Sequence, residues 1–347
     1  IRTYVVDRLD LHDMDLVDSF GAGIKNIDSD DVAAVNVRFR GHARGGFESH
    51  SNSEDVRIVA CSFADIADQH IASEGGGGNT RWTLVGNNHL AHGTGTLLTH
   101  DIATITDVAL VGNTIFNGGV QSYHVERFVY TGNIFTQLEE TGPINLYLKG
   151  KNRFGTVANN SFYNLGLGSE LYPLRIQMLD TTRNPDSITI SGNVIQHAGP
   201  IGISFVSGTG RLALDANVIE SLSATGGVGV AISGGLSDLA QRGVVVSDNV
   251  IMNEGTSMQV GFGACTNCSQ DNVAVEGNVV QTTKPYAKGF YNEIWNHAPY
   301  NIPFSTKCRG DGNILDVPPN GLKWYSTGTT LAPPAGQGCI QHGDAVP

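Results

Sequence analysis

Charge is scarce in this chain. Aspartate, glutamate, lysine and arginine make up 16% of its 347 residues. Only 21 residues are basic against 33 acidic, a formal net charge of −12. A general nucleic-acid binder needs a basic surface, so this balance argues against one. It leaves room for an acidic polysaccharide, which a local basic patch can hold. No apolar run of roughly 18 residues occurs, so no helical membrane span is expected. No segment reads as an amphipathic helix. Cysteine is also sparse, with five in all. Cys61 reads as a buried free thiol. Zinc would need a second ligand pair at matched spacing, and none is evident. Two disulfides, Cys265–Cys268 and Cys308–Cys339, are the simpler expectation, and they would imply an oxidising compartment.

Glycine and asparagine, by contrast, are abundant and placed with a rule. Asn87, Asn113, Asn133, Asn160, Asn193, Asn217, Asn249, Asn278 and Asn313 each sit in one apolar frame, 26, 20, 27, 33, 24, 32, 29 and 35 residues apart. An apolar residue usually follows two positions later, as at Ile115, Phe135 and Ile195. Others precede at three and five positions, as at Ile188 and Ile190, or Val244 and Val246. Upstream, Cys61 and Val37 take the asparagine slot, and a weaker copy centres near Met14. Alternation at a period of two means strand. A second alternating strand precedes each frame, as in Leu174 to Ile176. A structural repeat of this size is a solenoid signature. The expected fold is all-β, a right-handed single-stranded parallel β-helix of about a dozen coils. The asparagines should stack as a ladder inside one turn. Glycine before the asparagine, as at Gly86 and Gly192, fits a turn that needs positive φ. The expected division is a β-helix over 1–315 and a C-terminal cap over 316–347, because two proline-rich segments there break the pattern.

Equivalent outward residues of the upstream strand should form one face. Rung by rung that face offers Lys25, then Glu48 and His50, Glu74, His100, Gln121 and Tyr123, then Asn145, Tyr147 and Lys149, then Arg175 and Gln177. Beyond them Ser204, Ala231 and Gly261 are small and neutral. This concentration in the middle rungs marks the candidate site. Two chemistries fit it. In β-elimination on a uronic-acid polymer, a carboxylate is neutralised, a base takes the proton at C5, and an acid serves the leaving oxygen. Lys149 and Arg175, on adjacent rungs, are candidates for these tasks, with Tyr123 and His100 as the other catalytic candidates. In glycoside hydrolysis two carboxyl groups act together. Glu48 and Glu74 are the obvious pair, with Asp101 and Glu126 less well aligned. His50, Glu48, Glu74, Gln121, Asn145, Tyr147 and Gln177 are the expected substrate-binding residues.

Over about residues 14–315 the ladder resembles the pectate-lyase-like superfamily of right-handed β-helices. The rung from Asn145 to Phe154, followed one coil later by Leu174 to Gln177, is similar to the lysine-then-arginine arrangement of the chondroitinase B and alginate lyase family. That resemblance implies Lys149 as base and Arg175 as acid. It also raises Ca2+ as a cofactor, which that family binds through acidic residues on the rung before the lysine. Here that rung carries Gln121 and Tyr123, with Glu126 further on. The resulting expectation is a secreted, extracellular lyase acting on an acidic polysaccharide or oligosaccharide. The alternatives are a glycoside hydrolase of the phage-tailspike type and a solenoid that only binds glycan or serves as structure. No nucleic-acid partner is expected, and the chain is expected as a monomer or homotrimer.

Overall fold

The computed structural model describes residues 1–50, 52–74, 80–98, 104–139, 144–165, 172–177, 185–206, 210–222, 228–233, 241–253, 256–262, 270–282, 288–294, 308–311, 314–316, 322–327 and 339–342. Every regular element among them is a β-strand. The strands fall into three parallel sheets that wind around one apolar interior, a parallel β-solenoid. The middle sheet, whose strands precede the asparagines, runs through thirteen strands from Leu9–Val17 to Cys339–His342. The trailing sheet, whose strands follow the asparagines or the equivalent positions, extends from the end of Leu9–Val17 through the end of Val32–Arg40 to Ile314–Asp316. The leading sheet contains the upstream strands, from Arg2–Tyr4 to Leu322–Thr327. Coil number and strand type therefore agree with the repeat in the sequence.

Burial explains the alternation. Ile188 and Ile190 are buried, and so are their register partners Leu212 and Leu214. One inward column of the trailing sheet stacks Phe39 on Phe63 at 4.7 Å and Phe135 on Phe162 at 4.8 Å. These spacings match the interstrand distance of a sheet, so each ring sits flat on the ring of the next coil.

The asparagines form the expected ladder. Asn160 shows the unit. Its Nδ2 donates to Asn193 Oδ1 at 3.0 Å and to the Tyr130 carbonyl at 2.9 Å. Its Oδ1 accepts from the Asn133 side chain and from the Asn133 backbone N–H, both at 2.9 Å. Both protons and both lone pairs of the amide are used, so a fully buried polar group carries no unmet bond. The same pattern runs from Asn87 to Asn278. Cys61 continues it with a thiol that donates to the Ala34 carbonyl, while its backbone N–H donates to Asn87 Oδ1. Asn313 lies outside the described residues.

Past residue 315, where the sequence suggests a cap, Leu322–Thr327 and Cys339–His342 still pair in parallel with the preceding strands. Cys308 and Cys339 are opposite in that register. Their side chains, and Cys265 and Cys268, lie outside the described residues. No disulfide is found among the described residues, and Cys61 is a buried free thiol.

Candidate functional site

The leading sheet carries two outward columns, set by register. One runs Lys25, Glu48 and Ala72, and further along Gln121, Tyr147, Arg175 and Ser204. The other includes His50, and further along Tyr123, Lys149 and Gln177. Lys149 is thus opposite Gln177, and Arg175 opposite Tyr147. The two cations occupy neighbouring coils but sit diagonally, not face to face.

A ring lies between them. Lys149 Nζ is 5.5 Å from the Tyr123 ring centre and 5.7 Å from that of Tyr147. Arg175 Cζ is 5.7 Å from the Tyr147 ring and 5.2 Å from the Tyr172 ring. The result is an alternating row of tyrosine, lysine, tyrosine, arginine, tyrosine. The Tyr147 hydroxyl donates to Gln177 Oε1, and the Tyr123 hydroxyl donates to Gln121 Oε1 at 3.3 Å. Burial pushes the Tyr123 phenol up, so it keeps its proton at neutral pH. Among the described residues neither Lys149 nor Arg175 has a carboxylate partner. Arg175 Nε is buried without a hydrogen bond. A buried, unpaired guanidinium N–H is costly, and an anionic ligand would remove that cost. Tyr172 escapes a reading by alternation. Counted back from Leu174 it falls on the inward parity, but it precedes the strand, in the turn.

Other expected site residues lie elsewhere. Asn145 is a correction, because it is fully buried. The strand starts at Leu146, and the turn before it rotates the Asn145 amide inward. There it donates to the Gly118 carbonyl at 3.4 Å and accepts from Asn164 Nδ2 at 3.0 Å. Glu48 is a second correction. Its register is outward, yet only 3% of its side chain is exposed. It accepts from the Gly45 N–H at 3.1 Å, and lies 3.4 Å from His50, 3.9 Å from Arg44 and 4.0 Å from Lys25. The carboxylate binds the loop that covers it and presents no oxygen to a substrate. His50 is half-buried beside it. Glu74 ends a strand opposite His50, two positions away from the place that would face Glu48. The Glu74 side chain, His100 and Asp101 lie outside the described residues. Glu126 is engaged by Lys151 at 2.8 Å.

The rung before Lys149 does not suit calcium. That ion takes six to eight oxygens with carboxylates among them. Gln121 and Tyr123 bring one amide and one phenol, and Glu126 is already paired. Among the described residues no group of three histidine, cysteine or acidic side chains could hold a metal.

No family model matches the sequence, and no curated protein matches it. Solved structures do resemble it in fold. A double mutant of the periplasmic alginate epimerase AlgG aligns at TM-score 0.55 with 12% identity, over 87% of this chain and 75% of that one. Tailspike protein 3 of bacteriophage CBA120 aligns at 0.44 with 10% identity, over 99% of this chain and 56% of that one. The A-module of the Azotobacter vinelandii mannuronan C-5 epimerase AlgE6 aligns at 0.41 with 12% identity, over 94% and 91%. At such identities the first likeness shows the fold alone.

Proposed function

We propose that this chain binds an acidic polysaccharide across the tyrosine, lysine and arginine row and cleaves it by β-elimination outside the cell. The observation that carries this reading is the pair of half-buried cations on either side of Tyr147, one with an unmet N–H, and neither matched by a carboxylate among the described residues. A uronate carboxylate supplies the missing negative charge. Its neutralisation makes the neighbouring C–H acidic enough to lose a proton, which is the first demand of elimination. The tyrosine faces offer apolar surface to sugar rings. The polysaccharide-active neighbours in fold accord with such a ligand.

The two-carboxylate hydrolysis is less well served. Glu48 is covered and held among Arg44, Lys25 and His50, so it is poorly placed either to protonate a glycosidic oxygen or to activate water. Incubation with alginate, polygalacturonate or chondroitin sulfate is expected to produce the unsaturated sugar, read by its ultraviolet absorbance. New reducing ends without that absorbance would favour hydrolysis. Deuterium uptake from solvent at C5 without cleavage would mean that proton abstraction occurs but the leaving group stays. Binding with none of these products would leave a glycan-binding solenoid.

A further inference from the structure

Lys149 invites the role of base, because a lysine can lose its proton and accept another. Its surroundings oppose that role. The ammonium lies over two phenol rings, at 5.5 Å from Tyr123 and 5.7 Å from Tyr147. The negative faces of aromatic rings attract a cation and give a neutral amine nothing comparable. We propose that Lys149 stays a fixed cation and that the phenol of Tyr147 is the group that carries the proton during cleavage. This inference rests on the lyase reading above.

The Tyr147 ring has a cation on both sides, Lys149 on its own strand and Arg175 on the next coil. A negative charge on its oxygen would therefore be attracted from two directions. The hydroxyl is also aimed, since it donates to Gln177 Oε1. Gln177 can turn its amide and donate an N–H instead, so the same partner serves the phenol and the phenolate. Tyr123 also has Lys149 over its ring, but burial pushes its phenol up and so holds its proton in place.

The step balances without a further reactant. Once the Tyr147 hydroxyl has released its own proton to solvent, the phenolate oxygen takes the proton from C5 of the uronate. The C–H electron pair becomes the C4–C5 double bond, and the bond from C4 to the linking oxygen breaks. The departing oxygen then takes the same proton from Tyr147. The phenolate is restored, and the products are an unsaturated sugar and a new hydroxyl. Lys149 and Arg175 hold the carboxylate while its charge spreads.

The test compares Tyr147→Phe, Lys149→Arg and Lys149→Met, using whichever of the three polymers the wild type cleaves. Unsaturated product and polymer binding are measured separately. Tyr147→Phe keeps the ring and its packing. It is expected to bind polymer normally and to lose roughly a hundred- to ten-thousandfold in turnover. Lys149→Arg preserves charge and ring contact but cannot act as a base. It is expected to keep clearly more activity than Lys149→Met. Equal loss in Lys149→Arg and Lys149→Met overturns the inference, and so does a Tyr147→Phe variant that still turns over. A wild-type protein that makes no unsaturated product from any polymer defeats the lyase reading itself, and the inference falls with it.

Discussion

Ala216 occupies the position just before a ladder asparagine, with φ at +53°. Glycine fills that position before Asn87, Asn113, Asn133, Asn193 and Asn278, again with positive φ. An L-residue with a β-carbon is strained there by roughly 1–2 kcal/mol. Replacing alanine by glycine removes the strain but adds freedom to the unfolded chain, a smaller opposing effect of roughly 0.5–1 kcal/mol. Ala216→Gly is therefore expected to raise stability by about 0.5–1 kcal/mol, read as a higher midpoint in urea unfolding. An unchanged or lower midpoint would mean that the methyl group makes compensating contacts. The outward parity of Tyr123, Tyr147, Lys149, Arg175 and Gln177 was legible from simple alternation. Asn145 was not, because the regular strand begins one residue after it, at Leu146. Glu48 was not, because a loop bond from Gly45 covers a carboxylate whose register is outward.

At the scale of the element, the ladder couples coils through side chains as well as through the backbone. Removing one amide in mid-ladder affects two neighbours. Asn160→Ala deletes the acceptor for both the backbone and the side chain of Asn133 and leaves the Tyr130 carbonyl and Asn193 Oδ1 short of a donor. Each unmet buried group costs roughly 1–3 kcal/mol. The expected loss is about 3–6 kcal/mol, with faster hydrogen exchange in the flanking strands. Asn160→Asp should also destabilise, because a carboxylate at neutral pH has no proton to donate to Tyr130 or Asn193. Retention of wild-type stability in both variants would show that water or backbone shifts replace the ladder. The repeat made these asparagines visible in the sequence. The direction of donation along the column is visible only in the folded chain.

The whole molecule carries buried histidines that respond to acid. His70 and His89 meet at 3.3 Å between their Nδ1 atoms, and His89 stacks flat on Phe63 at 4.8 Å. Burial lowers His70 to about 4, and burial together with the charge of His70 lowers His89 well below its ordinary value. His197, bonded through Nδ1 to the Gly199 carbonyl, is lowered by burial to about 4. A histidine depressed in the fold takes up a proton in the unfolded chain first. Between about pH 6.5 and 4 the unfolded state thus binds more protons, and stability falls as pH falls. Below about 4 the folded forms of His70 and His197 protonate too, and their contribution to the slope ends. Roughly 2 kcal/mol should be lost at His70, and a similar amount at His197, between pH 6.5 and pH 5. Urea midpoints measured at pH 7 and pH 5 check this, and equal midpoints would contradict it.

By itself the sequence determined the solenoid, its coil number and the ladder. Each of these follows from a short-range pattern, a period of two within strands and a recurrent asparagine between them, which every coil repeats. It also supplied most of the side chains of the candidate site, because parity alone decides which residues face outward. Only the tertiary structure decided how those side chains meet. Register set Arg175 opposite Tyr147 and Lys149 opposite Gln177, so a phenol separates the two cations. A turn brought Tyr172 onto Arg175, and a loop took Glu48 out of reach. Those relations join residues 20 or more positions apart, or depend on turns between strands, and the loop lengths that fix them follow no repeat.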